Sequence, residues 1–109
     1  MVYHYKAFVT RIIDGDTIEV TVDLGLNIVF KNMKLRLQGI DAPEIVGINK
    51  TSGLASKLWL NDMILDKEVI IHTYKDKGDK YGRYLAVVLL DGVNINELSV
   101  QEGFAKKWE

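Results

Sequence analysis

Between residues 17 and 23 the chain alternates without interruption: Ile18, Val20 and Val22 fall on one face, and Thr17, Glu19, Thr21 and Asp23 on the other. A period of two, with β-branched residues on the apolar side, is the pattern of a strand that has one face on a core and one in solvent. Asp14-Gly15-Asp16 before it forms a tight turn, and Gly25 and Asn27 after it punctuate a hairpin. These are residues that turns select for positive φ or for side-chain hydrogen bonds to their own backbone. The rest of the chain has to be compatible with that strand and its two reversals.

Residues 3–13 read as a first strand, with Phe8, Val9, Ile12 and Ile13 as its apolar content. After the hairpin, Ile28-Val29-Phe30 returns, Lys31-Asn32 forms a bulge or a second turn, and a third strand runs over 33–40. Leu54, Ala55, Leu58, Trp59 and Met63 recur at helical spacing, which predicts a helix over 54–66 with Thr51 or Ser52 as its cap. The Trp59–Met63 stripe reads as core packing. Further strands are expected over 69–74 and 84–90, the second ending at an Asp91-Gly92 turn. Asn94-Ile95-Asn96-Glu97 has the form of a capping box, opening a short helix that ends at Gly103. The tail over 104–109 receives no assignment. Three strands, a helix, two strands and a helix describe an α+β chain that is mainly β. They suit a five-stranded Greek-key barrel of the OB type, a single domain over 1–109.

The composition is 48% hydrophobic and 27% charged over 109 residues, which is the balance of a globular domain and not of a disordered chain. Fourteen cations face fifteen carboxylates for a net charge of −1, so the total charge does not announce nucleic-acid binding. A cluster of carboxylates neutralised by a metal would hide a locally basic surface. There is no cysteine, which excludes disulfides and thiolate metal sites. No apolar run approaches the length that crosses a membrane. The first residues lack a charged and then apolar leader, so a cytoplasmic or phage-associated location is expected ahead of secretion.

The densest chemistry lies in Arg36-Leu37-Gln38-Gly39-Ile40-Asp41-Ala42-Pro43-Glu44, which holds a cation, two carboxylates and the only proline. A glycine within a strand often marks a bulge that re-aims the side chains after it. Gly39 is therefore expected to bend the strand so that Arg36, Asp41 and Glu44 surround one site. Asp14-Gly15-Asp16-Thr17 and Asp79-Lys80-Tyr81-Gly82-Arg83 are two more polar clusters at strand ends. Carboxylates without histidine or cysteine beside them describe a hard-cation site, calcium or magnesium rather than zinc. Asp16 and Asp41 are the candidate ligands, with the carbonyl of Ala42 as a further one; as a residue before proline, Ala42 is held extended. Only three of the fourteen cations are arginines, Arg11, Arg36 and Arg83. Arg11 is expected on the barrel exterior, and His4 and His72, isolated in the sequence, are expected to be structural.

Ile13-Asp14-Gly15-Asp16-Thr17, Arg36-Leu37 with Ile40-Asp41-Ala42-Pro43-Glu44, and Asp79-Lys80-Tyr81-Gly82-Arg83 with Leu85-Ala86 together resemble the staphylococcal nuclease (thermonuclease) family. The likeness continues through Asp91-Gly92, Val93-Asn94 and Glu102-Gly103-Phe104-Ala105-Lys106. That resemblance implies an OB barrel carrying a calcium-dependent endonuclease that hydrolyses phosphodiester bonds of DNA and RNA and leaves 3′-phosphates. It implies one Ca2+ ion, with Mg2+ or Mn2+ as possible substitutes, held by Asp16, Asp41 and the Ala42 carbonyl. The family often has threonine where Ala42 stands, a change of little consequence if the backbone oxygen is the ligand. Glu44 would activate or orient the attacking water, Arg36 and Arg83 would bind the phosphate, and Lys80 and Tyr81 would contact the phosphate end of the nucleotide. The hairpin over 23–33 is longer than in the type member, and the family's usual last helix would follow Glu109. Apolar surface that such a helix covers makes the oligomeric state, monomer or weak homo-oligomer, open. The competing expectation is a catalytically silent OB module that binds nucleic acid or protein; an inhibitor or assembly module is a third. Retention of Asp16, Arg36, Asp41, Glu44 and Arg83 favours the enzyme.

Overall fold

The alternating segment is strand β2 (Thr17–Asp23), and it sits between β1 (Tyr3–Asp14) and β3 (Val29–Leu37), antiparallel to both. The computed structural model describes residues 3–45, 47, 50–75 and 84–108. After β3 come the two-residue β4 (Ile40–Asp41), helix α1 (Lys50–Ile64), β5 (Glu68–Lys75), β6 (Tyr84–Leu90) and β7 (Val93–Asn94), then helix α2 (Ile95–Gln101) and β8 (Lys106–Lys107). β5 pairs with the free side of β1 and β6 with β5. β6 then returns to β3 in parallel, Leu35 opposite Tyr84 and Leu37 opposite Ala86. That last pairing closes five strands into a mixed barrel, leaving the two helices outside it; the α+β barrel read from the sequence is the one observed.

Ile18, Val20 and Val22 face the core, as their alternation predicts. Val9, Ile18, Val20, Leu35, Leu37, Ile71, Ala86 and Val88 are all fully buried. Burial of a Val, Leu or Ile side chain contributes about 1.5–3 kcal/mol, which is why the period-two pattern governs the register. The hairpin leaving β2 turns through three successive residues at positive φ, Gly25, Leu26 and Asn27. Asp23 Oδ1 accepts from the Gly25 N–H at 2.8 Å to fix it. Lys31-Asn32 is a bulge and not a second turn: the register shifts between Val20 and Val22, and Asn32 has φ 59°. Asn94 caps the second helix, its side chain accepting from the Glu97 N–H, which is the N-cap half of the expected capping box. Arg11 is exposed, as anticipated.

Three expectations are corrected. The third strand does not run through to residue 40. It stops at Leu37, and Gln38-Gly39 is a turn, with Gly39 at φ 80°, so glycine serves here as a turn residue and not as a bulge. Helix α1 begins at Lys50, which places Thr51 and Ser52 inside its first turn and not at its cap. Its buried face is Gly53, Ser56, Leu60 and Ile64, while Leu54 and Leu58 are exposed. Small residues turn the helix this way because they permit the closest approach. A Cβ on Gly53 would run into the Glu44 carbonyl, and one on Gly15 would run into the Ser56 side chain and lie 2.7 Å from the Ala42 Cβ. Trp59 and Met63 still pack against the core from its margin, and the Trp59 ring stacks on Phe104 at 5.3 Å. His4 and His72, far apart in the sequence, are cross-strand partners on β1 and β5, with rings stacked 3.8 Å apart.

Candidate functional site

The Asp14–Asp16 turn brings its second carboxylate inward. Asp14 Oδ1 accepts from the Asp16 N–H at 3.0 Å, a local turn that short polar side chains favour. Asp16 Oδ1 then accepts from Thr17 Oγ1 at 3.1 Å, and Asp16 Oδ2 from the Ala42 N–H at 2.9 Å. The Asp16 carbonyl accepts from the Leu37 N–H at 2.7 Å. One residue therefore ties the β1–β2 turn to the end of β3 and to the segment after β4.

Arg36, at the end of β3, reaches over the Gln38-Gly39 turn to that carboxylate. Its Nη2 lies 3.4 Å from Asp41 Oδ1 and 3.7 Å from Asp16 Oδ2, and its Nη1 donates to the Ile40 carbonyl at 3.4 Å. The two carboxylate oxygens thus converge on one point, which the guanidinium occupies. Of the site expected from the sequence, Arg36, Asp41 and Asp16 come together. Glu44 is exposed, and among the described residues Arg36 forms ion pairs with Asp16 and Asp41 and not with Glu44. The backbone of Glu44 is nonetheless pinned, because its carbonyl lies against Gly53 of α1. Lys80, Tyr81 and Arg83 lie outside the described residues.

Asp16 and Asp41 differ in surroundings. The Asp16 side chain is 13% exposed and that of Asp41 53%. Burial, then the neighbouring Asp14 carboxylate, push the Asp16 pKa up to about 6, against the pull of the Ala42 N–H and Arg36. A carboxylate so held is only partly compensated by Arg36. A hard divalent cation would supply the rest, and every donor here is an oxygen, which fits calcium or magnesium. Among the described residues no third His, Cys, Asp or Glu joins the pair around one ion. The remaining ligands of such an ion would then be backbone oxygens such as that of Ala42, water and substrate.

Two residues at the site carried little sequence signal. Asn96, 3% exposed, donates from Nδ2 to the carbonyls of Gln38 at 2.9 Å and Ala86 at 3.0 Å, and accepts from the Val88 N–H at 3.1 Å. It fastens the turn between Arg36 and Asp41 to the barrel wall. The tail over 104–109, unassigned from the sequence, supplies β8, which pairs Lys107 with Ile40 and Lys106 with Asp41. Trp108 follows; its N–H donates to the Gly39 carbonyl at 2.9 Å, and the Arg36 guanidinium carbon lies 4.7 Å from its ring centroid.

A closed mixed barrel with a carboxylate–guanidinium cluster at the strand ends defines a small OB-type domain with a site suited to a cation and an anionic ligand. The chain belongs to the staphylococcal nuclease family: residues 34–109 match the model described as staphylococcal nuclease homologue. It is 35% identical to a thermonuclease of Staphylococcus hyicus over 90% of its length and 56% of the relative's. It is 36% identical to a micrococcal nuclease of Shigella flexneri, over 93% of its length and 57% of the relative's. An uncharacterized protein of Methanocaldococcus jannaschii is 31% identical over 94% of the chain and 59% of its own length. The chain thus spans little more than half the length of these curated relatives.

Proposed function

We propose that this chain is a calcium-dependent nuclease that hydrolyses phosphodiester bonds of DNA and RNA to leave 3′-phosphates. The observation that carries the reading is the convergence of Asp16, Asp41 and Arg36 on one point, in a fold whose family includes named nucleases. A phosphodiester is anionic, so attack by water requires charge neutralisation before a nucleophile can approach. A planar guanidinium matches two phosphate oxygens better than an ammonium does. Arg36 is held for that task at the site, and Arg83 would share it. Asp16, Asp41 and the Ala42 carbonyl would hold the cation, which when bound neutralises phosphate charge as a Lewis acid. Lys80 and Tyr81 would contact the phosphate end of the nucleotide.

Glu44 takes the proton from water as its oxygen attacks phosphorus. The P–O5′ bond breaks, the 5′-oxygen takes a proton from solvent and leaves as the hydroxyl, Glu44 returns its proton to solvent, and the phosphate stays on the 3′-oxygen. General-base assistance of this kind contributes typically ~10²–10⁴-fold. Glu44→Gln is therefore expected to fold and to bind a nucleotide while cleaving ~10²–10⁴-fold more slowly; single-turnover kinetics with a binding titration measure both. Wild-type turnover in that variant removes Glu44 from the mechanism.

Digestion of single-stranded DNA in calcium, in chelator and with magnesium replacing calcium tests the whole reading. Cleavage that stops with chelator and returns with calcium supports it. Binding retained with no cleavage under any of these ions makes the chain a silent OB module instead.

A further inference from the structure

The three acceptors around Arg36 are all distant, at 3.4, 3.4 and 3.7 Å, beyond the 2.7–2.9 Å of a tight charge-assisted pair. They engage only the edge of the guanidinium. The guanidinium carbon lies over the Trp108 ring, 4.7 Å from its centroid, within the range in which an indole attracts a cation. The indole is itself located by backbone, through the Trp108 N–H on the Gly39 carbonyl and the β4–β8 pairing beside it. One turn, residues 38–39, thus fixes both the arginine's partners and the ring that covers it.

We propose that Trp108 is the positioning residue of Arg36. The proposal rests on the nuclease reading only in what it says about rate. Asp16 and Asp41 have two claims on them, the guanidinium and a cation. When a cation engages their oxygens, the edge of Arg36 loses acceptors and becomes available to phosphate. The contact with the Trp108 ring uses no carboxylate oxygen and does not compete with either event. It keeps the guanidinium over the site while its edge exchanges carboxylate for phosphate. An arginine restrained in this way loses less rotamer freedom on binding its anion.

The test has two arms. In the first, the Arg36 Nε–H resonance is measured by NMR in the metal-free chain, where the indole's ring current displaces it. The displacement is expected to vanish in Trp108→Leu, which keeps apolar cover without an aromatic face, and to persist in Trp108→Phe. A resonance unchanged in Trp108→Leu overturns the contact, and this arm stands whether or not the chain cleaves anything. In the second arm, Trp108→Leu lowers kcat/KM on single-stranded DNA by about 3- to 30-fold, and Trp108→Phe restores most of the loss. Introduced into Arg36→Lys, which lacks the planar face, the same substitution costs less than about twofold. Equal losses in both backgrounds show that Trp108 acts elsewhere and overturn the positioning role. Absence of cleavage by the wild type defeats the nuclease reading, and the resonance alone then decides the pairing.

Discussion

Asp16→Asn is expected to abolish metal-dependent cleavage and, at the same time, to raise the melting temperature of the metal-free chain at neutral pH. The opposition follows from the raised pKa. A carboxyl at about 6 when folded and near 3.8 when unfolded binds its proton more tightly in the native state. Folding stability from this group is therefore fully present below about 3.8, falls as pH rises from 3.8 to 6, and stays at its low value above that window. The difference corresponds to at most about 3 kcal/mol at neutral pH, and the loss of a charged acceptor for the Ala42 N–H reduces the gain from a neutral amide to roughly 1–2 kcal/mol. For a domain of this size each kcal/mol moves the midpoint by about 4–8 °C. Thermal unfolding of both proteins at pH 7.5 and near pH 4 checks it: the variant should be the more stable at the higher pH, and the advantage should disappear at the lower. Calcium should then stabilise the wild type and leave the variant unmoved, because a ligand that binds only the native state raises its stability by mass action. A variant less stable than the wild type at pH 7.5 would mean that the Arg36 contact outweighs burial and the Asp14 carboxylate.

That conflict between stability and site chemistry is written into the Asp14–Asp16 turn, and the sequence showed it only in outline. Asp-Gly-Asp is a common turn, and nothing local tells that its third residue is half-buried and accepts from the Ala42 N–H. The barrel strands were legible because period-two alternation has one solution once a core exists: Ile18, Val20 and Val22 have to face it. The face of α1 was legible only in part, through the Trp59–Met63 stripe that packs at the core's margin. Apolar spacing pointed to Leu54 and Leu58, but the helix seats on Gly53 and Ser56, whose small size carries no hydrophobic signal and acts through the backbone of Glu44 and the turn at Gly15. Gly39 shows the same limit: a glycine after a strand serves a bulge or a turn equally well, and its φ of 80° belongs here to a turn. Arg36 and Asp41 meet either way, because the turn reverses the chain over four residues. The remaining partners of the site, Asn96 and Trp108, lie 58 residues from Gln38 and beyond the last helix, where no local pattern reports them.

Asn96→Ala is expected to be among the most destabilising single substitutions available outside the apolar core, by about 2–4 kcal/mol. The side chain uses both ends. Its carbonyl satisfies the Val88 N–H inside the barrel wall, and its amide satisfies Gln38 and shares the Ala86 carbonyl with the Gln38 N–H. Alanine leaves the Val88 N–H buried without an acceptor, a penalty of about 1–3 kcal/mol, and releases the turn that carries Gly39. Ala86 retains one donor, which keeps the total from rising further. Urea unfolding should show a lower midpoint with an unchanged slope, the mark of lost stability without a change in the surface exposed. Asn96→Asp separates the two ends: it keeps the acceptor for Val88 and loses the donor, and it adds a charge facing the Gln38 and Ala86 carbonyls. It should be at least as unstable as the alanine variant, since an unpaired buried charge costs more than an unmade hydrogen bond. Because the released turn separates Arg36 from Asp41 and holds Trp108 by the Gly39 carbonyl, the folded fraction of Asn96→Ala should also bind calcium more weakly than the wild type. Wild-type calcium affinity in that fraction would show that the two carboxylates keep their convergence without the Asn96 clasp, and that the Asp16–Ala42 hydrogen bond alone is enough to assemble the site.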